Sequence, residues 1–213
     1  MKTNIKELVK TALETVDREG MDILVSVMEE RGFYDAPAST SGSRHSAEPG
    51  GLAKHSLLVY GYARRLKKNF RLTDKQIPED SLLVSCLLHD LGKMGDYGKP
   101  LYTLNVLKSG KVSDAKPWER NKSLTNIPHA IRSVIIAERY IDLTEEEEYA
   151  IMYHDGLYDR ETGGTSVLPG HETDLLLILH WADMWSSRFV EGDEARVEMI
   201  LGELEEQFFL PFN

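Results

Sequence analysis

A histidine and an aspartate stand side by side at the end of an apolar stretch, in the segment Leu87-Leu88-His89-Asp90-Leu91-Gly92-Lys93. An imidazole and a carboxylate buried among leucines lose their water shells, which costs free energy unless a cation or hydrogen-bonding partners replace the water. A bound metal ion is the simplest replacement. The pair therefore constrains the fold, because other parts of the chain have to bring further metal ligands to His89 and Asp90.

Four further residues with metal-binding side chains lie in segments whose apolar residues recur at helical spacing, namely His55, His129, His154 and Asp183. On one of these segments His55 shares a stripe with Leu52 and Val59, which predicts that it faces the core. One histidine on an apolar face is more often a hydrogen-bonded core residue than a metal ligand. A whole set of histidines and aspartates on successive inward faces favours metal binding instead.

Four histidines and two aspartates suit a pair of divalent first-row metal ions. The expected ligands are His55, His89, Asp90 and Asp183 for the first ion and Asp90, His129 and His154 for the second. We expect two ions drawn from Mn, Fe, Ni, Co, Mg or Zn, with Asp90 as the bridge between them. Two such ions, roughly 3.5–4 Å apart, hold a hydroxide as the nucleophile and clamp a phosphoryl oxygen for in-line attack.

Lys93 follows Asp90 by three residues, which is about one helical turn. At that distance its ammonium can stabilise the negative charge that develops on a phosphoryl group, so we assign Asp90 and Lys93 as the catalytic residues. A solvated surface lysine is the alternative. His180 is a partner of Asp183, a substrate-facing residue or a structural histidine, and Asp155 either orients a metal ligand or ends its helix.

The charge balance narrows the class of ligand. Lys+Arg total 25 and Asp+Glu total 35, which gives a net charge of −10. This acidic excess argues against stable binding of duplex nucleic acid or of an anionic membrane, and a small phosphorylated substrate drawn to metal ions fits better. The single cysteine, Cys86, can form no internal disulfide and indicates a reducing compartment. No apolar run reaches the ~18 residues of a membrane span, so we expect a soluble, cytoplasmic protein.

Helical periodicity dominates the chain. Helices are predicted over residues 5–16, 21–31, 52–66, 78–91, 128–140, 144–154, 171–190 and 194–209. Thr144 and Glu147 have the spacing of a capping box. Leu101–Leu107, a Lys-Ser-Gly-Lys turn and Val112 predict a small hairpin, which is a candidate lid. We therefore predict an all-α bundle with a small irregular or hairpin insertion near 97–120, and one domain over 1–213, because this length suits one core.

The ordered ligands resemble those of the HD-domain superfamily of metal-dependent phosphohydrolases, whose binuclear branch has the pattern H…HD…H…H…D. Three motifs carry this resemblance over residues 33–190: Gly50-Gly51-Leu52-x-x-His55-Ser56, His89-Asp90-Leu91-Gly92-Lys93 and His180-x-Ala182-Asp183. His129 and His154 fall between the His-Asp pair and Asp183, so the chain is similar to the branch with five or six ligands rather than to the mononuclear one. The resemblance implies an HD-domain helical bundle with helical extensions at both ends.

Within this superfamily the chain is similar to bacterial HD-type 3′→5′ exonucleases and to small HD hydrolases of bacteria and their phages. This similarity implies a substrate-phosphate contact at His45, and the neighbouring Arg44 could serve the same anion. A loop histidine without that role is the alternative for His45. Arg132, one turn after His129, and His180 complete the set of candidate substrate-binding residues.

The resemblance leaves three functions open. The chain lacks the appended OB-type domain of the exonucleases and has Tyr153-His154-Asp155 where they tend to have paired histidines, which argues against processive degradation of a polymer. We expect a phosphohydrolase or phosphodiesterase that acts on a nucleotide or short oligonucleotide. HD-type di-iron oxygenases resemble the same ligand pattern and also carry a lysine near the His-Asp pair, so that class stays open. The third function is a non-catalytic nucleotide-binding module, and the oligomeric state is left open as well.

Overall fold

The computed structural model describes residues 3–41, 46–156 and 164–209. Its α-helices are α1 (Ile5–Glu14), α2 (Met21–Glu30), α3 (Gly51–Asn69), α4 (Glu79–Leu88), α5 (His129–Ala137), α6 (Glu145–Met152), α7 (Gly164–Val167), α8 (Asp174–Trp185) and α9 (Glu194–Phe209). Two short strands, β1 (Tyr102–Leu104) and β2 (Trp118–Arg120), pair between α4 and α5. The predicted all-α class with a hairpin insertion is confirmed. None of the helices in these described ranges is both long and apolar enough to cross a bilayer.

The central helix of the bundle is α3, which packs against α1, α4, α8 and α9. Helix α9 comes close to it because residue 61 is glycine, where a Cβ atom would lie only 2.4 Å from Cγ2 of Ile200. Helix α4 is buried from Ser81 to Leu88, so it is enclosed on all sides rather than amphipathic. The C-terminal end of α4, where His89 and Asp90 follow, therefore lies in the protein interior.

Several helices end earlier than their apolar patterns predict, and in α4 and α6 the difference falls at candidate ligands. Helix α4 ends at Leu88, and Leu91–Met94 form a separate 3₁₀ turn. Helix α6 begins at the predicted capping box of Thr144 but ends at Met152, so His154 lies in the turn that follows. Apolar periodicity continues through such turns because their side chains still face the core, and it therefore overestimates helix length.

The insertion pairs differently from the prediction. A bridge between Val106 and Val112 confirms the predicted turn, but the main partner of β1 is β2, with Leu104 opposite Trp118. The indole nitrogen of Trp118 donates a hydrogen bond to the carbonyl of Ala47, which attaches the hairpin to the segment that leads into α3.

An ion pair between Arg18 and Glu147 joins the segment after α1 to α6. The two side chains meet at two points, with Nη1–Oε2 at 2.8 Å and Nη2–Oε1 at 2.9 Å, and the Glu147 side chain is 0% exposed. Burial by itself would raise the pKa of Glu147, but Arg18 and the amide of Thr144 outweigh it and lower that pKa. The carboxylate is therefore charged in the interior and depends on Arg18.

The Arg18→Ala variant is expected to lose about 2 kcal/mol of unfolding free energy, because it leaves the buried Glu147 carboxylate without its counter-charge. Urea unfolding at neutral pH measures this loss. The matched control is Lys6→Ala, which removes an exposed pair with Glu29 (2.7 Å). Exposed ion pairs contribute less than about 1 kcal/mol to the unfolding free energy, so this variant should lose less than Arg18→Ala does. Equal losses in the two variants would contradict the role assigned to burial.

Candidate metal centre

The six predicted metal ligands come from separate parts of the bundle and meet at Asp90. His55 lies on α3 and Asp183 on α8, His89 and Asp90 follow α4, His129 begins α5, and His154 lies two residues after α6. Ligand atoms of His55, His89 and Asp90 lie within 4.8 Å of one another, and so do those of Asp90, His129 and His154. The fold therefore brings together every residue of the predicted set.

One group of candidate ligands surrounds Nε2 of His55. This atom lies 3.2 Å from Nε2 of His89, 3.1 Å from Oδ1 of Asp183 and 3.5 Å from Oδ2 of Asp90. Two nitrogens that each lie about 2.1 Å from one metal ion, with an N–metal–N angle of about 90–110°, are about 3.0–3.4 Å apart. The observed separations are those of atoms that can share one cation.

The second group lies on the other side of Asp90. Oδ1 of Asp90 is 3.1 Å from Nε2 of His129 and 3.7 Å from Nε2 of His154, and these two nitrogens are 3.4 Å apart. Oδ1 is buried and accepts no hydrogen bond from any residue in the described part of the chain. A buried carboxylate oxygen without a donor loses the stabilisation that water would give it, and a cation between it and the two imidazoles restores it.

Backbone and carboxylate acceptors prepare three of the imidazoles for a metal. Nδ1 of His89 lies 2.8 Å from the carbonyl of Cys86, and Nδ1 of His154 lies 2.8 Å from the carbonyl of Ile151. Nδ1 of His55 faces Oε1 of Glu191. Because these oxygens only accept, each Nδ1 carries the proton and, in the neutral ring, the Nε2 lone pair points into the cluster. Metal ligation requires this tautomer.

The charges of the site also fit a cation. Burial by itself would lower the pKa of His55, but the carboxylates of Glu191 and Asp183 outweigh it and raise that pKa to about 10. Burial by itself would raise the pKa of Asp90, yet Lys93 and His89 hold it well below its usual range. Asp90 and Asp183, whose pKa values are both lowered, are therefore ionised at neutral pH, and their negative charge stabilises positive charge at the centre of the cluster. A metal ion that binds His55 would replace the proton on its Nε2.

Glu191 belongs to this site although no pattern in the sequence predicts it. Its side chain is 2% exposed and contacts His55. Helix α8 ends at Trp185, and the π-helical turn Ser186–Val190 follows, with the Glu191 amide donating to the carbonyl of Ser186 (3.1 Å). The turn contains one residue more than an α-helical turn, which rotates later side chains by about 100° relative to a continuous α-helix. That rotation brings Glu191 to the side of α8 on which Asp183 lies.

An open cavity of about 810 Å³ leads to the candidate ligands. Its lining includes His55, Lys93, Tyr102, His129, Asp155, His180, Asp183, Arg188 and Glu191. Nζ of Lys93 lies 2.6 Å from Oδ2 of Asp90, so this lysine is part of the site and not a solvated surface residue. Volumes of about 300–1,000 Å³ are typical of small-molecule sites.

The predicted substrate contacts have different outcomes. His180 lines the cavity and its Nδ1 lies 2.8 Å from the carbonyl of His154. Arg132 is not among the lining residues, and this prediction is corrected: its side chain is 2% exposed, donates to the carbonyl of Thr125 (2.7 Å) and lies 3.7 Å from Asp96. Arg132 therefore stabilises the interior behind α5. Arg44 and His45 lie outside the described residues.

The Glu191→Gln variant is expected to bind divalent metal about 10- to 100-fold more weakly, because a neutral amide oxygen can still accept from the His55 ring but no longer polarises it as a carboxylate does. Titration with Mn²⁺, followed calorimetrically, measures the change. Glu206→Gln, at an exposed position of α9, is the matched control and should bind as the wild type does. Unchanged affinity in Glu191→Gln would show that the contact with His55 does not support a metal.

The fold and the site together define an α-helical protein with a buried histidine–aspartate centre that can hold divalent metal. The family model of the HD domain matches residues 52–186, which is more than half of the chain. The chain belongs to the HD-domain family. The superfamily of this domain is of the metal-dependent phosphohydrolase type. No curated protein and no solved structure gives a match to the chain.

Proposed function

We propose that the protein is a phosphohydrolase that uses two divalent metal ions to cleave a phosphate ester of a nucleotide or short oligonucleotide. The observation that carries this proposal is the orientation of Asp90. Its Oδ2 faces His55 and His89, and its Oδ1 faces His129 and His154. A carboxylate with imidazoles on both sides has the arrangement that a bridge between two ions requires.

The chain's own residues have distinct roles in this proposal. The first ion would be held by His55, His89, Asp90 and Asp183, and the second by Asp90, His129 and His154. Divalent ions bound there would lower the pKa of a water molecule and polarise a phosphoryl oxygen. Lys93 holds a positive charge beside Asp90, where it stabilises negative charge that develops on the phosphoryl group during attack.

The surroundings of the cavity favour an anionic substrate. Residues 99–122, which include the hairpin, contain six basic and two acidic residues, although the net charge of the whole chain is −10. Tyr102 of β1 lines the cavity, so this basic segment adjoins its opening. Positive potential beside a cleft raises the local concentration of anions. Tyr102, His180 and Arg188 are the described lining residues that we propose as contacts to the substrate, in addition to Arg44 and His45.

The test is a matrix of metal ions against substrates. Full-length protein is incubated with Mn²⁺, Ni²⁺, Co²⁺, Fe²⁺ or Mg²⁺ and with nucleoside mono-, di- and triphosphates, cyclic nucleotides and short single-stranded oligonucleotides. Mass spectrometry identifies the products and therefore the bond that breaks. We expect metal-dependent release of phosphate or of a nucleotide, with chelator-treated protein as the blank.

Two results would contradict hydrolysis. Consumption of O₂ by iron-loaded protein with an organic substrate, without release of phosphate from any nucleotide, would identify a di-iron oxygenase, for which Lys93 and the same ligand set are equally suited. Tight nucleotide binding without turnover under every metal would identify a non-catalytic binding module.

A further inference from the structure

A second cavity, of about 430 Å³, lies beside the 3₁₀ turn that follows the His-Asp pair. Lys93 of this turn lines the first cavity, whereas Met94 and the four residues Asp96–Lys99 line the second. Its polar wall also includes Glu30 and Arg31, at the end of α2, and Arg139, just after α5. The proposed hydrolysis gives this cavity no role.

The charges around the second cavity are unbalanced. Asp96 is 3% exposed and accepts two hydrogen bonds from Arg139 (3.0 Å each) and one from Arg31 (3.0 Å), and a third guanidinium, that of Arg132, lies 3.7 Å away. Nε of Arg132 is buried and has no hydrogen-bond partner among the described residues. Lys99 and Glu30 also line the cavity and offset each other in charge. Three guanidiniums thus share one buried carboxylate. Arg132 lies behind Asp96 and does not line the cavity, so a phosphate dianion that balances the excess charge would bind at Arg31 and Arg139.

Tyr97 occupies a backbone position that does not suit a tyrosine. Asp96 and Lys99 exchange two backbone hydrogen bonds of 3.0 Å, and φ is +53° at Tyr97 and +70° at Gly98. This is the two-residue hairpin turn that favours asparagine, aspartate or glycine at its first position. The Tyr97 side chain gains little from packing, because the residue is 75% exposed. Backbone strain that side-chain packing does not compensate is typical of functional positions.

The ring of Tyr97 stands over the cationic wall. The guanidinium carbon of Arg139 lies 5.2 Å from the ring centroid, and Nη2 of Arg139 lies 3.3 Å from the Tyr97 hydroxyl. Arg139 therefore holds the ring in place, and the high exposure of Tyr97 leaves ring surface open to a ligand. An aromatic ring held beside a cluster of arginines can stack on a base while the arginines bind its phosphate.

We infer that this second cavity binds a nucleoside phosphate, with the phosphate at Arg31 and Arg139 and the base stacked on Tyr97. This site is separate from the metal centre and does not require hydrolysis there. It adjoins the turn that positions Lys93, so an occupant would contact the segment that carries one of the two proposed catalytic residues.

The deciding variant is Tyr97→Asn, because asparagine suits the turn and removes the ring. Binding of AMP to the full-length protein is measured by calorimetry in EDTA, where no metal-dependent turnover consumes the probe. We expect Tyr97→Asn to weaken AMP binding roughly tenfold without lowering Tm, since base–aromatic stacking contributes an effect of this order. The matched control is Arg71→Asn, which relieves the same kind of backbone strain (φ +57°) at an exposed position elsewhere and should leave AMP binding unchanged.

A second arm tests the phosphate contacts. Arg31→Gln is expected to weaken binding of both AMP and inorganic phosphate, whereas Tyr97→Asn should weaken only that of AMP. Three results would overturn the inference: no measurable AMP binding to the wild type, a lowered Tm with unchanged AMP affinity in Tyr97→Asn, or AMP binding that is lost in Lys93→Ala but retained in Tyr97→Asn. The second result would mean that Tyr97 only shields an ion pair, and the third that AMP binds only at the metal centre.

Discussion

The Asp90→Asn variant is expected to lose divalent-metal binding and, with it, metal-dependent phosphate release. Asp90 is the residue that both groups of candidate ligands share, and both of its oxygens face imidazole nitrogens at 3.1–3.7 Å. An amide carries no negative charge, and its NH₂ group directs protons where a cation would lie. We expect turnover to fall by on the order of 10³-fold or more, since the metals supply most of the charge stabilisation.

Thermal unfolding with and without Mn²⁺ separates loss of metal from loss of the fold. A ligand at 100 times its Kd stabilises the folded state by about 2.7 kcal/mol, so the wild-type Tm should rise on addition of Mn²⁺ while that of Asp90→Asn should not. Asp17→Asn, at an exposed position between α1 and α2, is the matched control and should respond as the wild type does. Full turnover by a metal-loaded Asp90→Asn protein would contradict the assignment of Asp90.

Much of the helical framework could be predicted because most of the helices bury one side and α4 is apolar almost throughout, and the same burial revealed the candidate ligands. His55 shares a stripe with Leu52 and is 4% exposed in the structure, while His89 is 0% exposed. Hydrogen bonding between nearby residues could also be predicted. The Thr144 hydroxyl and the Glu147 carboxylate form both hydrogen bonds of the predicted capping box. Such features depend on residues a few positions apart, which a pattern in the sequence contains.

Apart from the convergence of the candidate ligands, several features that depend on distant parts of the chain were not predicted. Glu191 reaches His55 only because a π-helical turn interrupts the α-helical period. The residue types in that turn do not predict a π-helical turn. Arg132 follows His129 by one turn, yet α5 is placed so that its first residue faces Asp90 while Arg132 is buried behind it. β2 pairs with β1 across more than ten residues, beyond the range of the turn chemistry that predicted the nearer bridge.

The Lys93→Ala variant is expected to keep its metal ions and lose rate. The Lys93 ammonium lies 2.6 Å from Oδ2 of Asp90, so it competes with a cation for that oxygen, and its removal should leave metal affinity unchanged or increased. The same ammonium lines the cavity, where it can face the phosphoryl group. Loss of one such charge is expected to lower kcat about 10²- to 10³-fold with a smaller effect on KM.

Two further variants separate charge from packing at this position. Lys93→Met keeps most of the side-chain volume and should be as slow as Lys93→Ala, whereas Lys93→Arg keeps the positive charge and should recover part of kcat. Single-turnover rates at saturating Mn²⁺, with metal content measured in each sample, make the comparison. If Lys93 acts only by supporting the fold around Asp90, then Lys93→Met restores the rate and Lys93→Ala loses metal. That pattern would remove Lys93 from the catalytic residues and leave charge stabilisation to the metal ions alone.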